Sequence, residues 1–193
     1  MWAGARGAQA ILVGVALLAA VVPARGQDTF VDPAGRFSID IPSTYVLASS
    51  ANGPLFQFRA GILAKEGGPR IILLFQATGT DLSTGFQEAR KLMDQSLRNT
   101  APVSPVQDLT LNSNPARMGL YSGEVQAKTG GAPVRLFAFI ASAVMKQGNA
   151  VFLAFMNAGQ REKWEADLRE VFLTLREENE PVMGAQNVRV HKP

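Results

Sequence analysis

The chain has 193 residues, of which 47% are hydrophobic and 18% are charged, and it contains one His and no Cys. This length and apolar content suit one packed domain rather than two. The absence of cysteine excludes disulfides, thiolate metal sites and a cysteine nucleophile. The single histidine, His191, lies three residues from the end of the sequence, which argues against a His-based metal centre or a catalytic triad.

An apolar leader opens the sequence. Residues 10–22 are all apolar or Gly, they follow the basic Arg6, and they give way to small residues at Ala24 and Gly26. This is the three-part pattern of a secretory signal peptide cleaved after Gly26. The 13-residue run is shorter than the roughly 20 residues of a membrane span, although a retained anchor is the alternative. We therefore expect residues 1–26 to be a signal peptide and the protein to be exported, to the bacterial periplasm or the extracellular space.

Cleavage would also change the charge of the chain. The formal charge of +3 includes Arg6 and Arg25, so removal of the leader leaves 17 basic and 16 acidic residues, a net charge of +1. No run of more than two Lys or Arg residues remains. Nucleic-acid binding normally requires a concentrated basic stripe. We expect no nucleic-acid partner, and membrane contact only through the cleaved leader.

The first elements of the mature chain alternate in hydrophobicity. A turn at residues 32–35 precedes a strand over 37–41 that stops at Pro42. Alternation over 55–65 predicts a second strand, and Arg70–Ala77, which is apolar on both faces, is its partner across a four-residue hairpin containing Gly67-Gly68. Helical spacing, with Asp81, Ser83 and Thr84 as candidate N-caps, then predicts a first helix over 81–99.

The pattern of the second half of the chain predicts consecutive β-hairpins followed by a helix. The Pro-containing segment 100–105 predicts a loop. Short turns rich in Gly, Asn, Ser or Pro then separate four predicted strands: Val106–Leu111, Ala116–Ala127, Pro133–Met145 and Ala150–Met156. An apolar stripe that includes Trp164 and Phe172 predicts a second helix over 160–177. The periodicity fails afterwards, so we expect residues 179–193 to form a flexible tail.

The late strands decide the predicted layering. Pro133–Met145 and Ala150–Met156 are apolar on both faces, so the sheet that contains them must be covered on both sides. Two amphipathic helices, far apart in sequence, are available to do this. We predict an α+β fold in which residues 27–178 form one domain, a three-layer α/β/α sandwich. Its mainly antiparallel sheet has about six or seven strands, with one helix on each face.

Three segments, in this order, carry a family resemblance: Gly35-Arg36-Phe37-Ser38-Ile39-Asp40-Ile41-Pro42; the strand Arg70–Phe75 with its helix; and the strand Ala150–Phe155 with a final helix ending Val171-Phe172-Leu173-Thr174-Leu175. The order resembles the PsbP-like family, named for an extrinsic subunit of photosystem II, over about residues 30–176. Members commonly carry Trp shortly after the Pro, where Tyr45 stands here. The resemblance implies a non-catalytic binding or assembly role in an envelope or lumen, and it transfers no ligand residue.

Signatures of catalysis are missing from the sequence. It has no Gly-x-Ser-x-Gly elbow, and neither Gly-Gly pair precedes a Lys-Ser/Thr and a helix. The candidate carboxylates are Asp32, Asp40, Asp81 and Asp94, and turn-capping, strand-surface and helix-capping roles explain them more simply than acid–base chemistry does. We expect no catalytic residue, no cofactor and no metal, and therefore a protein that is not an enzyme.

One strand carries an unusual pair of glycines. Gly119 and Gly123 share a face of the predicted strand Ala116–Ala127 and flank Tyr121. Glycine within a strand marks a bulge, a ligand or the close approach of another backbone. The sequence leaves two interpretations of these three residues open: a partner or ligand surface, or a helix that packs closely against the strand.

Three functional hypotheses remain. The first is a non-enzymatic binding or assembly module that recognises an envelope protein or another envelope component. The second is a carrier for a small apolar ligand held between the sheet and a helix, suggested by the 11 Phe residues, all of which follow the leader. The third is a hydrolase that uses a carboxylate pair, for which Asp40 and Asp81 are the candidates. The sequence sets neither the partner nor the oligomeric state.

Overall fold

The computed structural model describes residues 26–50, 55–60, 68–77, 81–126 and 131–178, with backbone alone at 49, 50 and 60. The predicted leader, apart from Gly26, and the predicted tail lie outside the described residues. So does the part of the second predicted strand beyond position 60.

All paired strands of the protein run antiparallel to their neighbours. The strands are β1 (Gln27–Val31), β2 (Phe37–Pro42), β3 (Tyr45–Ser50), β4 (Leu55–Ala60), β5 (Arg70–Gln76), β6 (Arg98–Pro102), β7 (Gln107–Leu111), β8 (Asn114–Val125), β9 (Val134–Met145), β10 (Gly148–Asn157) and β11 (Arg176–Glu177). Eight of them form a main sheet in the order β3-β4-β5-β10-β9-β8-β6, with β7 also beside β8. A second sheet has the order β1-β2-β11.

The two helices lie on opposite faces of the main sheet. Helix α1 (Leu82–Ser96) packs on the face that carries Val151 and Leu153 of β10. Helix α2 (Arg161–Leu173), which follows a 3₁₀ turn at Ala158–Gln160, packs on the face that carries Phe152. Alternate residues of β10 therefore enter different cores, as the period of two of a strand requires. The predicted three-layer α+β sandwich is confirmed.

Burial of aromatic side chains binds the α2 layer to the sheet. Phe152 and Phe172 are at most 1% exposed, and their ring centroids lie 5.8 Å apart. Fully burying a side chain of this size stabilises a fold by about 1.5–3 kcal/mol.

The helices are short for a membrane span. Neither α1, with 15 residues, nor α2, with 13, nor any other helix among the described residues is long and apolar enough to cross a membrane.

The second sheet was not predicted, because its strands look unremarkable in sequence. The prediction placed Phe37–Ile41 with the other strands in one sheet, but among the described strands β2 pairs only with β1 and the two-residue β11. This small sheet covers β4 and β5 on the α2 side of the main sheet, where Phe30 lies 4.9 Å from Phe56 and 5.0 Å from Phe58 between ring centroids. The main sheet itself has eight strands, where six or seven were expected.

Two further expectations were wrong at the sheet edges. The first part of the loop predicted over 100–105 instead belongs to β6, because α1 ends at Ser96, Leu97 is already extended, and Ala101 pairs with Ser122. Pro102 is tolerated there because β6 is an edge strand, which needs hydrogen bonds on one side only. The end of the second predicted helix is the short strand β11 instead, held by an ion pair from Arg176 to Asp40 of β2 at 3.2 Å.

The predicted tight hairpin at Gly67-Gly68 was also wrong. That turn would place Lys65 opposite Arg70, whereas the structure pairs Arg59 with Arg70. The register shift is even in number and leaves each residue of β4 on its predicted face.

A buried ion pair fixes the turn between β1 and β2. Asp32 is 1% exposed and accepts hydrogen bonds from the Arg36 side chain at both carboxylate oxygens, one of them 2.7 Å from Nη2. Gly35 has φ 64°, a left-handed conformation that favours glycine. The Arg36 guanidinium then lies 4.2 Å from the ring centroid of Phe75 on β5. The turn therefore joins the small sheet to the main sheet.

We predict that Asp32→Ala lowers the free energy of unfolding by about 2–4 kcal/mol, because it leaves a largely buried guanidinium without its carboxylate. Urea denaturation followed by circular dichroism measures the change. The matched control is Asp28→Ala on exposed β1, for which we expect a change within about 0.5 kcal/mol. Equal stability of the two variants would contradict the anchoring role of the turn.

Candidate functional site

Helix α1 covers only part of its face of the main sheet. Its main contacts are with β8, β9 and β10 and, at its end, with β6. The same face continues across β5, β4 and β3, which are not among these main contacts. On the opposite face the small sheet and α2 together cover β4, β5, β9 and β10. The described layers are thus asymmetric, and the α1 side of β3–β5 is the less covered half.

This half of the sheet displays a mixed apolar and basic surface, which we call the arginine face. Its members are set by alternation with the buried residues Phe58, Ile71 and Leu73, which point to the α2 side. The arginine face consists of Val46, Leu55, Gln57, Arg59, Arg70, Leu74 and Phe155. Val46 is 55% exposed and Arg59 is also exposed, and the other five are half-buried.

The pairing of four strands brings the key residues into one row. Val46 of β3 is opposite Arg59, Arg59 is opposite Arg70, and Arg70 is opposite Phe155. The Arg70 guanidinium carbon lies 5.6 Å from the centroid of the Phe155 ring. Because neighbouring strands are about 4.8 Å apart, the row spans about 14 Å from Val46 to Phe155.

Among the described residues, the charges of this row repel each other. Like charges directly opposite each other on a sheet are destabilising. No carboxylate of the described residues forms an ion pair with Arg59 or Arg70. Burial, and then the charge of Arg59, lower the pKa of the Arg70 guanidinium below its usual value. Arginine guanidinium groups stay charged in proteins.

Part of the arginine face packs against the apolar core between α1 and the main sheet, which we call the α1 core. Gly85 lies against Asn149 of β10, since a Cβ there would be 2.9 Å from the Asn149 side chain. Leu92, two helical turns later, is on the same side of the helix and is partly buried against the α1 core together with Leu74 and Phe155. The face therefore offers half-buried apolar side chains beside two guanidiniums, a composition suited to binding an anionic group with an apolar neighbour.

The three residues singled out in the sequence lie beneath α1. A Cβ on Gly123 would be 2.9 Å from Leu97 Cβ, and one on Gly119 would be 3.3 Å from the Phe86 ring. Tyr121 is 2% exposed, and the Arg90 guanidinium lies 4.8 Å from its ring centroid. The end of α1 therefore explains Gly123, whereas at Gly119 the Phe86 ring is joined by the Tyr121 ring at 3.1 Å and by Val106 at 3.3 Å. Their role as a partner surface stays a prediction.

The carboxylates of the hydrolase hypothesis are far apart in the layers. Asp40 lies on β2 of the small sheet, where Thr29 and Arg176 donate hydrogen bonds to its carboxylate. Asp81 caps α1 on the other side of the main sheet. Hydrogen bonds from Thr84 lower the pKa of Asp81, whereas a general acid needs a raised pKa. The described acids do not converge.

Other candidate sites are weaker. An open depression of about 610 Å³ at the start of α2 is lined by Phe137 and residues 158–163, but its Arg161 pairs with Glu165 at 2.9 Å. Between α1 and the sheet, Met93 and Ile140 are 0% exposed, so an apolar ligand would have to displace packed side chains there. Among the described residues, no three His, Asp or Glu side chains cluster closely enough to hold a metal ion.

Comparison with solved structures identifies the fold. The solution structure of cyanobacterial PsbP (CyanoP) from Synechocystis sp. PCC 6803 matches with a TM-score of 0.52 at 12% sequence identity, over 86% of this chain and 98% of that one. The chain has the PsbP-like fold. The resemblance found in the sequence is thereby confirmed at the level of the fold.

Two other solved structures are similar at lower scores. The PsbP-like chain matches PA94 from Pseudomonas aeruginosa, a protein of unknown function, with a TM-score of 0.47 at 10% identity, over 77% of this chain and 94% of that one. A Bacteroides thetaiotaomicron VPI-5482 protein matches with a TM-score of 0.47 at 17% identity, over 81% of this chain and 50% of that one. No family model and no curated protein matches the sequence.

We predict that Gly123→Ala destabilises the protein by about 1–3 kcal/mol, because the new methyl overpacks the contact with Leu97. The matched control is Gly159→Ala, where a Cβ meets nothing within 4 Å. We expect it to be neutral or slightly stabilising, as measured by urea denaturation. An unchanged stability of the Gly123 variant would contradict close helix packing and favour the partner-surface interpretation.

We predict that Arg59→Gln raises the free energy of unfolding by a few tenths of a kcal/mol in low salt, because it removes the charge opposite Arg70. The gain should shrink at 0.5 M NaCl, where screening weakens the repulsion. Thermal unfolding at both salt concentrations measures the difference. A destabilised Arg59→Gln protein would show instead that Arg59 supports the fold.

Proposed function

We propose that the protein is an exported, non-enzymatic binding module of the cell envelope, and that the arginine face is its contact surface. The observation that carries this proposal is the pair of opposed arginines beside half-buried apolar side chains. Such an arrangement weakens the free protein, and proteins retain unfavourable local arrangements chiefly at functional sites. A partner that brought carboxylates to the face would remove the repulsion.

The composition of the face supports a protein contact. Arginine and aromatic residues are enriched in interfaces and dominate their binding energy, while lysine and the acids are depleted. The arginine face contains two arginines, Phe155 and three aliphatic side chains, and it contains no Lys, Asp or Glu. Its one other polar member, Gln57, lies between Arg59 and Leu55 on β4.

The apolar leader supports the exported location. Arg6, the uncharged run over 10–22 and the small residues before Gln27 have the order of a signal peptide. The PsbP-like resemblance in the sequence implies the same kind of compartment, an envelope or a lumen. The absence of cysteine leaves the domain to be held by its apolar cores rather than by disulfides.

The best-placed acids support a role without catalysis. Asp32 holds Arg36, Asp40 holds Arg176, and Asp81 caps α1. Each carboxylate has a structural use, so none is left as a general acid or base in an apolar pocket, where catalytic groups are typically found.

Site-specific photo-crosslinking tests the proposed contact surface. We predict that a photo-reactive amino acid at position 46, at the edge of the arginine face, crosslinks a discrete partner in envelope extract of the source organism. The matched control is position 173 on α2, because Leu173 is 41% exposed and lies on the opposite side of the sheet. Equal crosslinking at both positions, or none at position 46, would contradict the proposal.

A further inference from the structure

We infer that the arginine face binds an acidic segment of a partner protein, in which a carboxylate is followed at a fixed distance by apolar side chains. This inference rests on the proposed function and adds the chemistry of the partner. It follows from three features of the described residues: the opposition of Arg59 and Arg70, the apolar side chains at the two ends of the row, and the half-buried leucines further along β4 and β5.

The opposed arginines define an anion position. Directly opposite residues of antiparallel strands have Cβ atoms about 5 Å apart, so both guanidiniums can reach one carboxylate or two adjacent ones. Arg guanidinium groups bind carboxylates through paired, charge-assisted hydrogen bonds. Arg70 is half-buried and its guanidinium carbon lies 5.6 Å from the Phe155 ring centroid. This cation–π contact restricts the guanidinium, and partial burial reduces competition from water. One partner carboxylate placed between the two cations would offset their repulsion, and two would neutralise both.

Apolar positions lie at a measurable spacing from that anion position. Leu55 and Leu74 pair with each other four residues from Arg59 and Arg70 along their strands, and both lie on the same face. At about 3.3 Å per residue, the leucines are about 13 Å from the arginines. An extended partner segment would therefore place an apolar side chain four residues from its acidic residue.

The amount of charge favours a protein over the other anionic surfaces. Recognition of anionic membranes typically uses clusters of four to eight basic residues, and nucleic-acid binding uses a longer basic stripe. The arginine face has two basic side chains, and its flanking helix carries Glu88 paired with Lys91 at 3.8 Å. Two cations with apolar neighbours are complementary to a protein segment that carries one or two carboxylates and apolar side chains.

A capped synthetic peptide tests the inference directly. The probe is a seven-residue peptide with two glutamates, three small polar residues and then Leu and Phe, titrated into the ¹⁵N-labelled mature protein in low salt. We expect amide shifts confined to β3, β4, β5 and the end of β10 around Phe155. The same peptide with both glutamates replaced by glutamine should bind at least tenfold more weakly. Shifts centred elsewhere, or equal binding of the glutamine peptide, would overturn the inference.

Matched variants separate binding from folding. We expect Arg59→Gln and Arg70→Gln each to weaken binding of the glutamate peptide at least tenfold while the protein stays folded. The control is Arg169→Gln, at an exposed arginine of α2, which should bind the peptide as the unchanged protein does.

Binding to vesicles of phosphatidylglycerol tests the competing explanation, a membrane contact. Binding to vesicles that depends on Arg59 and Arg70, without binding to the peptide, would overturn the protein-segment inference in favour of a membrane contact.

The two proposals can fail separately. If position 46 still crosslinks a discrete partner in the Arg59→Gln, Arg70→Gln double variant, the contact surface is supported but the acidic chemistry of the partner is wrong. If position 46 crosslinks no partner even in the unchanged protein, the proposed function itself is wrong.

Discussion

The structure depends on one constraint: the central strand β10 is apolar on both of its faces. Val151 and Leu153 need cover on one side, and Phe152 and Ala154 need cover on the other. A sheet built around such a strand is stable in water only as the middle layer of three. Helix α1 supplies one cover, and α2 with the small sheet supplies the other. The Asp32–Arg36 turn and the Arg176–Asp40 ion pair matter because they hold this second cover in place.

The two covers are unequal, and the inequality produces the candidate site. The α2 side combines a helix with three strands, whereas the α1 side has one helix placed over β8–β10. The remaining area over β3–β5 shows Arg59, Arg70 and partly exposed apolar side chains. If this surface were only structural, we would expect each arginine to have a carboxylate partner, or one of the two positions to carry an uncharged residue. That the chain instead places them opposite each other links the layering of the fold to a binding role, without requiring any catalytic group.

The sequence predicted the layers of the fold and its long central strands well, but it predicted the edge strands and the strand register poorly. Alternation and turn chemistry located β8, β9 and β10 to within two residues, because long central strands impose a strong two-sided pattern. Strands β1, β3 and β6 were missed because short edge strands need little apolar sequence. The arginine face could not be found in advance, since the expected turn at Gly67-Gly68 placed Lys65 rather than Arg59 opposite Arg70. Gly119 and Gly123 do mark close approach: Leu97 at the end of α1 approaches Gly123, and Phe86 of α1 approaches Gly119 together with Tyr121 and Val106.

Hydroxyl-radical footprinting of the protein, read by mass spectrometry, tests the central claim most directly. Phe152 and Phe155 lie on the same strand and point to opposite faces, and Phe152 is 1% exposed whereas Phe155 is half-buried. The account predicts several-fold faster oxidation of Phe155 than of Phe152, with Leu55 and Leu74 also labelled. Protection of Phe155 equal to that of Phe152 would show that the α1 side of β4 and β5 is closed, and would contradict the account.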